Sequence, residues 1–332
     1  MSGGGGHICN FYCVISVDNL FSAWKKFRKG KRAKKDVAEF ELNLEDNIFR
    51  LHHDLVSGCW KPDPYQVFYV HDPKLRRIHK ASVRDRILYQ AIYQAVYQIF
   101  DPSFIYDSYS SRNAKGTHRG VKRFDCFARK ATSNYTGNAF VLKCDIKKFF
   151  DSINHRILLN LIHKRCSNND IFNLIEKIVS SSENMSGKGL PLGNVTSQIF
   201  SNIYLNELDQ FAKHILKARY YIRYCDDFVF IDESYEQLIG YIEKLSNFLK
   251  DKLALELHPK KIIIRKMIQG IDFLGYVSLP HYRVLRTTTK HRMLKKISTE
   301  NKASYFGMLT HCKSLKIKNK LLNQILPRRP YR

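Results

Sequence analysis

The sequence predicts an α+β fold. Long stretches repeat apolar residues at steps of three and four, short apolar runs sit between turn signals, and the chain beyond Arg286 is basic with helical spacing. With 332 residues, 44% of them apolar, the chain has material for a sizeable core and is not a disordered polymer.

Residues 1–19 are expected to form a flexible leader, since they carry a glycine run and lack the basic start of a signal peptide. Helical pattern begins near residue 20. "DVAEFELNLEDNIFRLHHDLV" places Val37, Phe40, Leu44, Ile48, Leu51 and Leu55 on one face. The prolines of "WKPDPY" end that helix, and "QVFYVHDPKLRRI" reads as a hairpin turning at Asp72-Pro73. "VRDRILYQAIYQAVYQIF" is a second helix, closed before Pro102, and "SYSSRNAKGTHRG" is a polar loop. "AFVLKCDIKKFFDSI" is a strand running into a turn, and "HRILLNLIHKRC" resumes a helix. "GLPLGNVTSQIF" starts as a loop and becomes a long helix from about Ser197. "YYIRYCDDFVFI" is strand–turn–strand, with Asp226-Asp227 at the turn. "EQLIGYIEKLSNFLKDKLALEL" is helical, while "KKIIIRKM" and "DFLGYVSL" are each short strands. Residues 286–332 hold 13 Lys and Arg against one acid, Glu300, and are expected to be a separate basic helical subdomain after a body at 20–285.

Charge narrows the function. Lys and Arg number 56 against 30 Asp and Glu, a net charge of +26, which points to a polyanionic partner through counterion release. The sequence has no run of the roughly 20 apolar residues that a membrane helix needs, so no membrane is expected. Eight cysteines are scattered; Cys9 and Cys13 have a ligand-like gap, but no second pair completes a zinc site. Reduced thiols in a cytoplasmic setting are the expectation.

Two adjacent carboxylates inside an apolar run are the anomaly. Burying Asp226 and Asp227 together would force protons onto them unless cations compensate. Asp145, at the end of another apolar strand, offers a third oxygen donor for divalent ions of the kind that serve in-line phosphoryl displacement. On spacing alone, a solvated turn and a helix-capping Asp145 account for the same residues equally well.

The order of motifs adds a resemblance. "YCDD" between apolar strands, Asp145 five residues before Phe150, the loop "LPLGNVTSQ", then "HPKKI" and "FLGY" resemble the ordered motifs of reverse transcriptases over about residues 20–315. Group II intron and retroviral enzymes carry glutamine where Leu192 stands, and serine–proline where this chain has Ser197-Gln198. The leucine version, with "RKGKR", "YDSYSSRNAKGTH" and "SYFGMLTHCKS", is similar to the reverse transcriptases of diversity-generating retroelements.

That resemblance implies a right-hand polymerase: fingers and palm over 20–285, with an antiparallel palm sheet, and a helical thumb over 286–332. It implies two Mg2+ ions, with Mn2+ as a substitute, held by Asp145, Asp226 and the Ile146 carbonyl, with Asp227 more peripheral. Phe150 corresponds to the steric gate that excludes a 2′-hydroxyl, against a plain core phenylalanine. Leu192 and Gly193 correspond to the loop over the incoming nucleotide. Lys74, Arg76 and Arg112 correspond to triphosphate-holding cations, against solvated charges. Lys261 corresponds to a lysine that protonates the leaving pyrophosphate, and "FLGY" to the hairpin at the primer end.

The implied function is error-prone copying of a template-repeat RNA into cDNA in a bacterial or phage retroelement, for mutagenic retrohoming. Implied partners are structured template RNA, the RNA–DNA hybrid, dNTPs and a small basic helical accessory protein, itself oligomeric. A retron-like or phage-defence reverse transcriptase is the alternative within the family. A non-catalytic RNA-binding protein on the same fold is the alternative outside it.

Overall fold

In the computed structural model, residues 10–71, 75–166, 168–181 and 187–325 are described. They divide into two interleaved units: unit 1 takes residues 1–105, 146–210 and 247–256, and unit 2 takes 106–145, 211–246 and 257–332. In chain order the helices α1 (Phe11–Ile15), α2 (Val17–Phe27), α3 (Lys35–Leu42) and α4 (Leu44–Val56) come first. Strands β1 (Gln66–Val70) and β2 (Arg76–Lys80) precede α5 (Val83–Phe100) and α6 (Thr117–Ala131). After β3 (Phe140–Asp145) come α7 (Phe149–Ser152), α8 (His155–His163), α9 (Asn169–Ser180) and α10 (Val195–Gln210). Then follow β4 (Tyr220–Tyr224), β5 (Asp227–Asp232), α11 (Tyr235–Leu253), β6 (Ile263–Lys266), β7 (Ile271–Phe273), β8 (Tyr276–Leu279) and β9 (Tyr282–Leu285). Helices α12 (Thr287–Lys296), α13 (Lys302–Leu309) and α14 (Leu315–Ile325) end the described chain.

Unit 1 is organised on α5. Its apolar side chains Ile87, Leu88, Ala91, Ile92 and Val96 are fully covered, and α1 to α4 and α10 pack on it. Ser82 caps the helix by accepting from the Asp85 N–H at 3.2 Å. Asp85 itself is buried, accepting from Trp60 Nε1 at 3.2 Å and the Asp63 N–H at 2.7 Å, so it pins the proline segment. Burial raises its carboxyl above the ordinary value. The hairpin β1–β2 pairs Gln66 with Lys80 through Val70 with Arg76 and is exposed over most of its length. Its expected turn residues lie outside the described set.

The expected leader is corrected over residues 11–19, which form α1 and the start of α2. Asn10 and Ser16 cap the two helices, and Val14, Ile15 and Leu20 fall at steps that bury them in unit 1.

Unit 2 holds an antiparallel sheet in the order β4-β5-β3-β6. Val141, Ile222, Val229 and Ile231 from its strands share a core with Phe124, Phe127 and Ala128 of α6. A second sheet, β7-β8-β9, presents Tyr276 and Leu285 to Met293, Leu309 and Leu321 of α12 to α14. "DFLGYVSL", a strand by its pattern and a hairpin at "FLGY" by the resemblance, forms the two strands β7 and β8. Leu274 and Gly275 both take positive φ (51° and 88°), which gives the tight turn that strand twist favours. Helices α6 and α9 and strand β9 also lie where the sequence reading placed none.

If α1 is structural, Ile15→Ala should cost about 2–5 kcal/mol, the usual range for emptying a buried apolar site. The check is the denaturant midpoint; a midpoint equal to wild type would restore the flexible leader.

Candidate active site

The register of β3 against β5 sets Asp145 directly opposite Asp227. Between β4 and β5 the turn residues are Cys225 and Asp226, so Asp227 is the first residue of β5 rather than part of the turn. Cys225 has φ 56°, a left-handed conformation that an ordinary side chain adopts only when its surroundings enforce it. Arg223 supplies that support. Its guanidinium is completely buried, donating to the Cys225 carbonyl at 3.1 Å and to Ser108 Oγ at 3.0 Å. The preceding loop is tied in as well, since the Arg223 N–H donates to the Asp107 carbonyl and its carbonyl accepts from the Tyr109 N–H.

The electrostatics follow from crowding acids on a covered sheet end. Burial raises the Asp226 carboxyl above its ordinary value, and the neighbouring Asp145 adds to the shift. Asp227 is pushed up to about 6, mainly by burial, with Lys143 opposing and the two other aspartates reinforcing. Burial likewise pushes the thiols of Cys144 and Cys225 up to about 12, so neither is a thiolate at neutral pH. Two lysines offset part of the negative charge. Lys261 Nζ donates to Asp145 Oδ2 at 2.6 Å, and Lys143 Nζ lies 3.4 Å from Asp227 Oδ2.

These groups fit a divalent cation. Asp227 Oδ1 is buried without a hydrogen-bond partner, and the raised carboxyls are those a nearby positive charge would return to the ionised form. Among the described residues no three His, Cys, Asp or Glu side chains gather into a metal cage. A cation bound by one or two carboxylates, solvent and substrate phosphates requires none.

The other expected residues divide between the units. Arg112 belongs to unit 2, where its guanidinium donates to the Ser108 carbonyl at 3.2 Å. Arg76, Ile146, Phe150, Leu192 and Gly193 belong to unit 1, and Lys74 lies outside the described residues. Arg76 is an exposed residue of β2, and Ile146 is buried immediately after Asp145. Phe149 takes the core position of its pair, leaving Phe150 half-buried and edge-on to it at 5.3 Å. The Leu192 carbonyl accepts from the His79 N–H at 2.9 Å, which fastens its loop to β2. Gly193 cannot be replaced there without strain: φ is 118°, and a Cβ would stand 3.2 Å from the His79 carbonyl oxygen and 3.1 Å from Ile78.

Sequence reasoning missed Lys143, Arg223 and a cavity in unit 1. Arginine inside the apolar run "YYIRYC" was the available signal for Arg223; Lys143 shows itself only through register. The cavity, of about 380 Å³, is lined by Phe27, Lys31, Lys34, Phe68, Lys80 and Arg86 among others. Burial, with Arg86 and Lys34 nearby, lowers the Lys31 ammonium from its ordinary value. Asn194 also lines it, and its buried Oδ1 has no hydrogen-bond partner.

The raised Asp227 carboxyl fixes a sign. The folded state holds its proton longer than the unfolded chain does, so metal-free stability falls as pH rises from about 4 to about 6. Asp227→Asn should therefore gain on wild type across that window, by at most about 3 kcal/mol at pH 8. Urea midpoints in chelator at pH 4 and pH 8 check this; a constant difference would contradict it.

Residues 64–278, well over half of the chain, match the family described as reverse transcriptase (RNA-dependent DNA polymerase). Protein YkfC of Escherichia coli K12 is 26% identical over 315 residues, covering 82% of this chain and 80% of that protein. The group II intron-encoded protein LtrA of Lactococcus lactis is 24% identical over 70% of this chain, which spans 49% of LtrA's length. Among solved structures, telomerase from Candida albicans in complex with a TWJ fragment of telomeric RNA superposes with TM-score 0.53 at 12% identity, over 79% of this chain and 55% of that one. The α+β architecture is the right-hand polymerase fold. With its carboxylates in register on that fold and the family match running through them, the chain belongs to the reverse transcriptases, the RNA-directed DNA polymerases.

Proposed function

We propose that this reverse transcriptase makes error-prone cDNA from a template-repeat RNA in a diversity-generating retroelement. The observation that carries the finer reading is Leu192, an apolar residue in the "LPLGNVTSQ" loop that is hydrogen-bonded to β2. A glutamine at that position offers a donor and an acceptor near a base pair; leucine offers packing alone. Template RNA, RNA–DNA hybrid and dNTPs are the substrates. The small basic accessory protein is the proposed partner, and the cytoplasm of a bacterial host the proposed setting.

Asp145 and Asp226 would hold two Mg2+ ions, with Asp227 and the Ile146 carbonyl assisting. When bound, the ions supply Lewis-acid polarisation of the triphosphate and of the primer 3′-hydroxyl. The chain's own residues do the rest. Lys261, resting on Asp145, is the proton donor proposed for the departing pyrophosphate. Phe150, held off the core by Phe149, bounds the sugar. Arg76, Arg112 and Lys74 are the proposed triphosphate contacts. The lysines and arginine of the unit 1 cavity, with the +26 charge, support binding of a nucleic-acid backbone, and α12 to α14 are the proposed thumb.

Asp226→Ala should lower dNTP incorporation on an RNA template by at least about a thousandfold while RNA affinity stays near wild type. Full-rate extension by that variant would remove the carboxylate assignment. Leu192→Gln tests the subtype: one added polar contact, worth roughly 0.5–1.5 kcal/mol, should lower misincorporation opposite template adenine by about 2- to 12-fold. The measurement is sequencing of cDNA made from one defined RNA by both proteins, and identical error spectra would contradict it.

A further inference from the structure

Lys143 stands on β3 two residues before Asp145, with no part in the chemistry above. It shares a sheet face with Val141 and, across the strands, Val229 and Ile231, all of which pack in the unit 2 core. An apolar side chain would suit that face. A cation there is costly unless its partners compensate. Lys143 has two such partners. Besides lying 3.4 Å from Asp227 Oδ2, its Nζ donates to the Asp272 carbonyl oxygen at 2.9 Å.

Asp272 is the middle residue of β7, the strand that leads into the Leu274-Gly275 turn. Its carboxylate is gripped by Arg286, whose Nε donates to Oδ1 at 2.7 Å. The Arg286 N–H donates to the Gly275 carbonyl at 3.0 Å, immediately before α12 begins. One continuous set of bonds therefore runs from Asp227 through Lys143 to β7, then through Arg286 to the β7–β8 turn. Lys143 is the only member of that set that touches a candidate metal-binding carboxylate.

We propose that Lys143 is a positioning residue that registers the β7–β8 turn against the carboxylates. By holding Asp227 Oδ2 it leaves Oδ1, buried and unpartnered, as the oxygen offered to a cation. Its bond to the Asp272 carbonyl fixes where the turn stands relative to that oxygen. The inference rests on the polymerase reading of the site.

The test uses the full chain with Lys143→Met, Lys143→Gln and Lys143→Arg, in single-nucleotide extension on a primed RNA. Mn2+ binding, read from the free-ion EPR signal, is measured without substrate. Lys143→Met should lower kcat by at least about tenfold with the dNTP KM within about threefold, the split expected when positioning is lost rather than ground-state binding. It should bind Mn2+ at least as tightly as wild type, because a competing positive charge has gone. Lys143→Arg, able to span both acceptors, should recover part of the rate, and Lys143→Gln should fall between arginine and methionine. That ranking is readable from arginine and glutamine even if the methionine chain does not fold. An unchanged kcat, Mn2+ binding lost together with kcat, or an arginine variant no better than glutamine would each overturn the proposal. A wild-type chain that extends no primer would remove the polymerase reading beneath it.

Discussion

Everything in the candidate active site depends on burying like charges on facing strands. The β3–β5 register sets Asp145 against Asp227, and the two-residue turn adds Asp226 beside them. Such an arrangement opposes folding on its own, as the raised carboxyls of Asp226 and Asp227 show. Two nearby ammonium groups moderate it without cancelling it. The residual deficit is one that a small, highly charged cation would neutralise. The local instability is thus what makes these carboxylates suited to the proposed metal site.

The scaffold around that deficit is correspondingly stiff. A positive φ at Cys225 persists because Arg223, fully enclosed, takes the Cys225 carbonyl and reaches Ser108. In unit 1 a second backbone constraint serves the Leu192-Gly193 loop, where Gly193 allows the chain to run against the His79 carbonyl and Leu192 is fastened to the same residue. Both devices are hydrogen bonds to the backbone of irregular segments, from the Arg223 side chain in one case and the His79 N–H in the other, and both fix loops that hydrophobic packing alone would leave loose.

What the sequence made legible was whatever contradicted its surroundings. Acids inside "YIRYCDDFVFID" and at the end of "VLKCD" stood out against their apolar runs, although spacing alone fits a solvated turn and a helix cap equally well. The pairing of β1 with β2 was readable from two short strand patterns either side of Asp72-Pro73, and α5 from unbroken helical periodicity. Helix α6 was not, because "GTHRGVKRFDCFARKA" carries so many polar residues that the stripe of Val121, Phe124 and Ala128 is diluted. Over residues 11–19 the leader expectation is replaced by helix, because Asn10 and Ser16 cap a segment whose apolar residues are buried. Periodicity read the β7–β8 segment as strand, because a leucine takes a turn position that usually prefers Asn or Gly; the hairpin at "FLGY" came only from the resemblance. Lys143 could not be singled out among 56 Lys and Arg, since only strand register reveals which carboxylate it meets.

The interleaving of the two units has a kinetic consequence. The sheet of unit 2 draws β3 from residues 140–145, β4 and β5 from 220–232, and β6 from 263–266, so its central strand waits for partners synthesised long after it. Contacts of that sequence separation slow folding and keep strand edges open meanwhile. During synthesis β3 emerges with both edges unpaired, and the partner for its second edge arrives only with β6. A cell making this protein would carry nascent chains in which β3, with its buried Val141 and Leu142, stays unpaired until β5 and β6 are made, which makes translation speed and chaperone supply determinants of yield.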